Sequence, residues 1–315
     1  MMRENTKKKT RSIEMVTGSL WKNILFFSIP LMCSQLLEVM FNLSDVAVVG
    51  HFADYKALGA VGSTTLLVTL FTGFLIGMGS GVNVRVAHAL GAKNHENTVE
   101  TIQTSLFLCT LIGFLIGAVC FFFSGGMLRL LNTKDDLIDQ ASLYLRIYAL
   151  CMPAMGIYNF GNGVLSARGE TKRPLYYLMI CCGINIVLDL VLVLGCRMGV
   201  LGVAVGTLIS QGISAVLVTR ALMYHTEELK LDLRKLHLEK DLLLNMLKIG
   251  LPTGIQSSMY NLSNILVQAA INAFGVNTMA AWTAFGKIDS FFWMLNGAFG
   301  IAVTTFVGQN FGAGK

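Results

Sequence analysis

An all-α, polytopic membrane protein is the fold class that the sequence predicts, and three observations predict it. Only 13% of the 315 residues are charged while 54% are hydrophobic, and the mean hydropathy is +0.63. Soluble domains run near 25% charged, so this chain has too little polar surface to cover itself in water. Uncharged runs recur along its length, several of them close to the about 20 residues that a helix needs to cross a bilayer. The basic residues lie between those runs rather than along one polar face, so the net charge of +6 does not point to nucleic acid.

The elements follow from the runs. Residues 57–84, 105–123, 147–167 and 198–219 carry no charge, and 175–196 are interrupted only by Asp189. Residues 23–50 hold Glu38 and Asp45 in an otherwise apolar stretch. The uncharged run 249–286 is too long for one helix. The turn Phe274-Gly275-Val276-Asn277 divides it, and the second helix continues through Lys287 and Asp289 to about Phe311. Eight spans result. The first is too long, and lacks the small-residue pattern, to be a cleavable signal. The seven cysteines fall mostly inside apolar runs without CxxC or Cys/His spacing, and read as small buried hydrophobes rather than a disulfide framework.

Loop charges set the orientation. With the N-terminus in the cytoplasm, the inside segments hold 18 Lys and Arg and the outside segments 4. That bias predicts N-terminus inside, in a plasma (inner) membrane. The polar stretch 224–248 interleaves leucines with charges of both signs and reads as an amphipathic cytoplasmic connector or a solvated linker. The expected organisation is therefore a six-helix unit over 1–223, the connector 224–248, and two helices over 249–315.

Those last two helices restart the pattern of the first two. The first pair contains Ile29-Pro30 and closes on Gly91-Ala92-Lys93; the second contains Leu251-Pro252 and closes on Gly312-Ala313-Gly314-Lys315. Both are expected to be helices that start at the proline. At an offset of 221, identities include Gln35/Gln256, Gly79/Gly300, Gly91/Gly312 and Ala92/Ala313. The second copy begins after a block of six spans, which restores the original direction, so the copies are parallel. Such repeats are typical of secondary transporters, whose binding site lies between the halves.

Polar residues inside spans are expensive and usually functional. In the first helix Gln35, Glu38, Asn42 and Asp45 occupy an arc of roughly 80°, which makes one face wet. The fifth helix stacks Asn185 and Asp189 at i, i+4, with no basic residue until Arg197. A carboxylate there must be protonated, paired or bound to a cation. Thr207, Ser210, Gln211 and Ser214 stripe the sixth helix; alone, such a stripe is more often packing than site. The seventh offers Gln256, Ser257, Asn261, Asn264 and Gln268, and the eighth Lys287. Glycines at 73, 77 and 81 form overlapping GxxxG steps. There is no phosphate-binding loop, catalytic triad, HExxH or zinc cluster, so neither an ATP-driven pump nor an enzyme is supported.

Four elements together resemble the multidrug and toxic compound extrusion (MATE) family of cation-coupled antiporters. They are Ser28-Ile29-Pro30 followed by Asp45 within Phe41–Gly50, the stretch Leu165-Ser-Ala-Arg-Gly-Glu-Thr-Lys-Arg-Pro174, Asn185-Ile-Val-Leu-Asp189, and the Gly-Ala endings. The resemblance implies two six-helix bundles around a V-shaped cavity, of which this chain carries the first and two helices of the second. It implies export of amphipathic, often cationic drugs or metabolites in exchange for Na+ or H+, with no other cofactor or metal, by a monomer in the bilayer. It places the cation or proton site on Asp45, Asn185, Asp189 and Thr207. Gln35, Glu38, Asn42, Gln256, Asn264 and Lys287 are the substrate-cavity candidates. Some members carry a carboxylate on the seventh helix, where this chain has Gln256 and Ser257, so a second cation site is not expected. A flippase for lipid-linked or polysaccharide precursors, or a truncated chain that does not transport, are the alternatives.

Overall fold

The computed structural model describes residues 13–52, 55–131, 133–224, 239–272, 274 and 276–315, without the side chains of Asn42 and Lys287 among others. In lipid a backbone must satisfy its own polar groups, and helices do so within one segment. The described residues form α1 (Leu20–Phe52), α2 (Tyr55–Gly91), α3 (His95–Leu130), α4 (Asp135–Ala167) and α5 (Lys172–Leu190). A π-helical turn, Val191–Gly195, extends α5, and α6 (Val200–Tyr224), α7 (Lys240–Asn272) and α8 (Val276–Gly312) follow. Six stretches are long and apolar enough to cross a membrane: α1, α2, α3, α5 with its π turn, α6, and Ile288–Gly312 of α8. The remaining two, α4 and α7, are 33 residues each, about 50 Å at 1.5 Å per residue, but are diluted by polar side chains. For α4 the reason is visible. It packs against α2, α3 and α6, and the faces buried there need less apolar surface, while one strip of it stays exposed.

Two expectations shift. Pro30 and Pro252 do not start helices; they lie inside α1 and α7, which begin at Leu20 and Lys240. Membrane helices tolerate an interior proline because neighbouring groups satisfy what it frees. Most of the expected connector, 225–238, lies outside the described residues, and Lys240–Lys248 already belongs to α7. Its Leu242 and Met246 are buried with Met78 and Leu108, which ties the start of α7 to α2 and α3.

Close approach holds the bundle together. A Cβ added at Gly77 would lie 2.5 Å from the Gly254 nitrogen, and one at Gly81 would lie 2.9 Å from the Gly250 Cα. The GxxxG face of α2 is thus a backbone-to-backbone seam with α7. Asn83 crosses the same region, donating from Nδ2 to the Gly163 carbonyl at 3.1 Å and accepting from the Thr305 hydroxyl at 2.9 Å.

The repeat is present in three dimensions at the ends of α2 and α8. Ala92 N–H donates to His88 O at 3.0 Å, and Ala313 N–H donates to Gln309 O at 3.0 Å, 221 residues on. Lys93 and Gly314, at the same offset, both adopt positive φ, 53° and 71°. The contacts between the two helices also exchange: Gly91 abuts the Gln309 carbonyl while Gly312 abuts that of His88, and Gly308 meets its own counterpart, Ala87. Such self-complementary contact is what a local two-fold relation between parallel copies produces. The same end is covered by residues 13–19. Met15 is buried among Phe27, Leu31, Ala302 and Phe306, its carbonyl accepts from Asn310 at 2.9 Å, and the Ile13 N–H donates to Gly169 O at 3.4 Å. Gly169 is at φ 92°, and a Cβ there would meet the Ile13 carbonyl at 2.6 Å.

Replacing Gly77 by valine would force α2 and α7 apart. Overpacking of this kind costs about 1–3 kcal/mol. Thermal unfolding of the purified chain in detergent should register it, whereas Gly62→Ala, where an added Cβ meets nothing within 4 Å, should leave the transition in place.

Candidate functional site

Three helices bring the expected cation-site residues together. Asp45 comes from α1, Asn185 and Asp189 from α5, and Thr207 from α6; all four are buried. The Thr207 hydroxyl donates to Asp45 Oδ2 at 3.1 Å, and Asn185 Nδ2 donates to Asp189 Oδ1 at 3.5 Å. The two carboxyl groups are within hydrogen-bonding reach of each other. Local sequence explains the closeness. Gly206, on the α6 turn facing α5, leaves room for Asp189 Oδ1, which an added Cβ would strike. The π turn begins two residues after Asp189, and π insertions in helices are frequent at functional sites.

The chemistry of this cluster is one-sided. Asp45 Oδ1, Asp189 Oδ2, Asn185 Oδ1 and Ser210 Oγ are buried without a hydrogen-bond partner among the described residues. Ser210 lies one helical turn from Gly206 on the same face. Among the described residues no Lys or Arg forms an ion pair with either aspartate; the ion pairs seen there are Arg168–Glu170 and Arg173–Glu170 in the α4–α5 loop. Buried polar atoms are nearly always satisfied, so four orphaned oxygens in one place call for a positive charge. Hard cations take oxygen ligands, and carboxylates sharing a proton would relieve the same repulsion.

A cavity of about 350 Å³ opens beside the cluster, within the size range of small-molecule sites. Glu38, Asp45, Thr64, Tyr144, Tyr148, Tyr158, Asn159 and Gln211 are among its lining residues. Tyr144 and Tyr148 stack with ring centroids 6.0 Å apart and planes 26° off parallel. Asp45 is thus shared between the oxygen cluster and the cavity. Of the expected cavity residues, only Glu38 lines it. Half-buried Gln35 faces Gly297 of α8 instead, with its amide nitrogen 3.1 Å from where a Cβ would stand. Gln256 and Asn264 are exposed on α7 and lie away from this cavity. The side chains of Asn42 and Lys287 lie outside the described residues. The three tyrosines escaped the sequence reading because aromatics in apolar helices carry no signal distinguishing a cavity wall from core. Ser210 was in view, but as part of a stripe that reads as packing.

Comparison with known proteins places this geometry. A family model described as MatE matches residues 30–191 and 252–315. The chain is 32% identical over 304 residues to the probable multidrug resistance protein YoeA of Bacillus subtilis (strain 168), covering 94% of this chain and 66% of that one. It is 22% identical over 262 residues to the multidrug export protein MepA of Staphylococcus aureus (strain MRSA252), covering 83% and 58%. The chain thus spans about two thirds or less of these two relatives' length. Among solved structures, a crystal structure of MATE in the bent conformation superposes with a TM-score of 0.89 at 24% identity, over 97% of this chain and 68% of that one. An outward-facing MATE family transporter of the MOP superfamily gives 0.88 at 24% identity, over 98% and 68%. At that identity the likeness concerns the fold.

Thr207→Val would strip Asp45 of its hydroxyl donor. Leaving a buried acceptor unsatisfied costs about 1–3 kcal/mol, read as a lower unfolding midpoint in detergent, and Thr207→Ser should restore it.

Proposed function

The chain belongs to the MatE family, a family of transporters rather than enzymes, and on that premise we propose that it is built for secondary antiport. The exported compounds are amphipathic and cationic, and the counter-ion is Na+ or H+. One observation carries this reading: a cluster of buried, orphaned oxygens that shares Asp45 with an aromatic cavity. Asp45, Asn185, Asp189 and Thr207, joined by Ser210, hold the coupling ion. Glu38 and the faces of Tyr144, Tyr148 and Tyr158 receive the positive end of the substrate, through charge and cation–π attraction.

Coupling follows from the shared carboxylate. A bound ion neutralises Asp45 and weakens its pull on a cationic substrate, and a bound substrate does the reverse. Each ligand then favours a different arrangement of the helix groups, which is the differential affinity that alternating access needs. Residues 1–223 form the first lobe, the segment from there to Glu239 the cytoplasmic connector, and α7 with α8 the opening of the second lobe. The N-terminus faces the cytoplasm of a plasma membrane. A flippase for pyrophosphate-linked precursors fits less well, because the lining of the cavity includes no Lys or Arg among the described residues.

The ion site is testable on the 315-residue chain itself. A ligand at a hundred times its Kd stabilises a fold by about 2.7 kcal/mol. Na+ titration or a pH series should therefore raise the unfolding midpoint of the wild type, and Asp189→Asn should abolish the rise. An undiminished rise in that variant would overturn the ion-site assignment. In dye-efflux assays, Glu38→Gln should raise KM for cationic dyes roughly tenfold, the loss of one charge-assisted contact, and leave neutral ones unchanged.

A further inference from the structure

Away from the cavity, one basic residue is placed where the membrane gives it no protein counter-charge. Arg146 lies eleven residues past the start of α4 at Asp135, about 16 Å along the helix axis. Its own helix exposes leucines one turn either side, Leu143 at 45% and Leu150 at 54%. The neighbouring α3 exposes Phe121, Phe122 and Phe123. Arg146 therefore stands in an apolar, lipid-facing band. Its Nε donates to Ser124 Oγ on α3 at 3.1 Å, and no carboxylate pairs with it among the described residues. A guanidinium has five N–H donors, so most of its capacity is unused by the protein.

The side chain opens into a groove of about 450 Å³ between α3 and α4. Arg129, from the last turn of α3, lines the same groove and likewise has no ion-pair partner among the described residues. Asp139 lies nearly two turns further toward the start of α4 and is the one acidic residue of the lining. Two guanidinium groups against one carboxylate leave the groove positive, with Arg146 at the end nearer the middle of α4 and the exposed phenylalanines further back along α3.

We propose that this groove is a binding site for an anionic phospholipid, with the headgroup phosphate held by Arg146 and Arg129 and the acyl chains lying along the phenylalanines of α3. A planar guanidinium matches phosphate in a fork, and an intramembrane Arg needs such a partner. The lipid is favoured over free phosphate because the flanking surface is apolar and the phosphate must arrive at membrane depth. On the orientation proposed above, the site faces the outer leaflet. It uses none of the antiport residues and stands or falls separately from that reading.

Native mass spectrometry of the purified chain tests it. Detergent-solubilised protein is titrated with phosphatidylglycerol, with phosphatidylcholine, and with inorganic phosphate alone. The wild type should retain phosphatidylglycerol over phosphatidylcholine, and inorganic phosphate should not displace it. Arg146→Gln should weaken phosphatidylglycerol retention roughly tenfold, the loss expected for one charge-assisted hydrogen bond, and Arg146→Lys should recover part of it. If Arg146→Gln does not fold, Arg129→Gln at the exposed helix end should give a smaller loss of the same selectivity. Equal retention of the two lipids by the wild type, unchanged retention in the folded variants, or displacement by inorganic phosphate would each overturn the proposal.

Discussion

Two carboxylates buried side by side in an apolar bundle repel each other, and water is not at hand to screen them. That arrangement survives only where a proton or a cation completes it, or where hydrogen-bond donors partly do. In this chain Thr207 donates to Asp45 and Asn185 to Asp189, and among the described residues no basic residue pairs with either. Much of the surrounding structure accommodates this cluster. Gly206 makes space for Asp189 Oδ1, the π turn follows immediately, and Tyr144 and Tyr148 wall the side that faces the cavity. Asp45 belongs both to the cluster and to the lining of the cavity.

The second organising feature is α2, which contacts α4, α7 and α8 along different faces. Its glycines bring the α7 backbone within touching distance, and its end forms a reciprocal contact with the end of α8. Without a hydrophobic force between helices in lipid, close packing of this kind and cross-helix hydrogen bonds hold them. Asn83 adds such bonds, one to the Gly163 carbonyl of α4 and one from Thr305 of α8. The ion cluster therefore sits among α1, α5 and α6, while the seam to the second repeat runs along α2.

Much of this was legible in the residue order. Uncharged runs of sufficient length forced helices, and the Asn185–Asp189 spacing forced those two side chains onto one helix face. The offset of 221 anticipated the paired endings of α2 and α8, while the positive φ that Lys93 and Gly314 share was seen only in the structure. Other features were illegible for physical reasons. Helix periodicity says which side of a helix is polar, and not which neighbour that side meets. Gln35, Glu38 and Asp45 share one arc of α1, yet Gln35 meets α8 while Glu38 and Asp45 meet the cavity. Pro30 and Pro252 looked like helix starts because proline breaks helices in water, and in a bundle they do not.

The sequence by itself determined that the chain lives in lipid, that it repeats, and that acidic groups lie inside its spans. Those conclusions need only charge, run length and spacing, which are properties of a linear chain. The tertiary structure decided which polar side chains converge. Asp45 and Thr207 are 162 residues apart and meet at 3.1 Å because α1, α5 and α6 pack against one another. It also decided that three tyrosines become a cavity wall and that Arg146, exposed on α4, meets Ser124 and no carboxylate among the described residues. Convergence depends on how helices cross, and crossing is set by close packing across many contacts that no single segment contains.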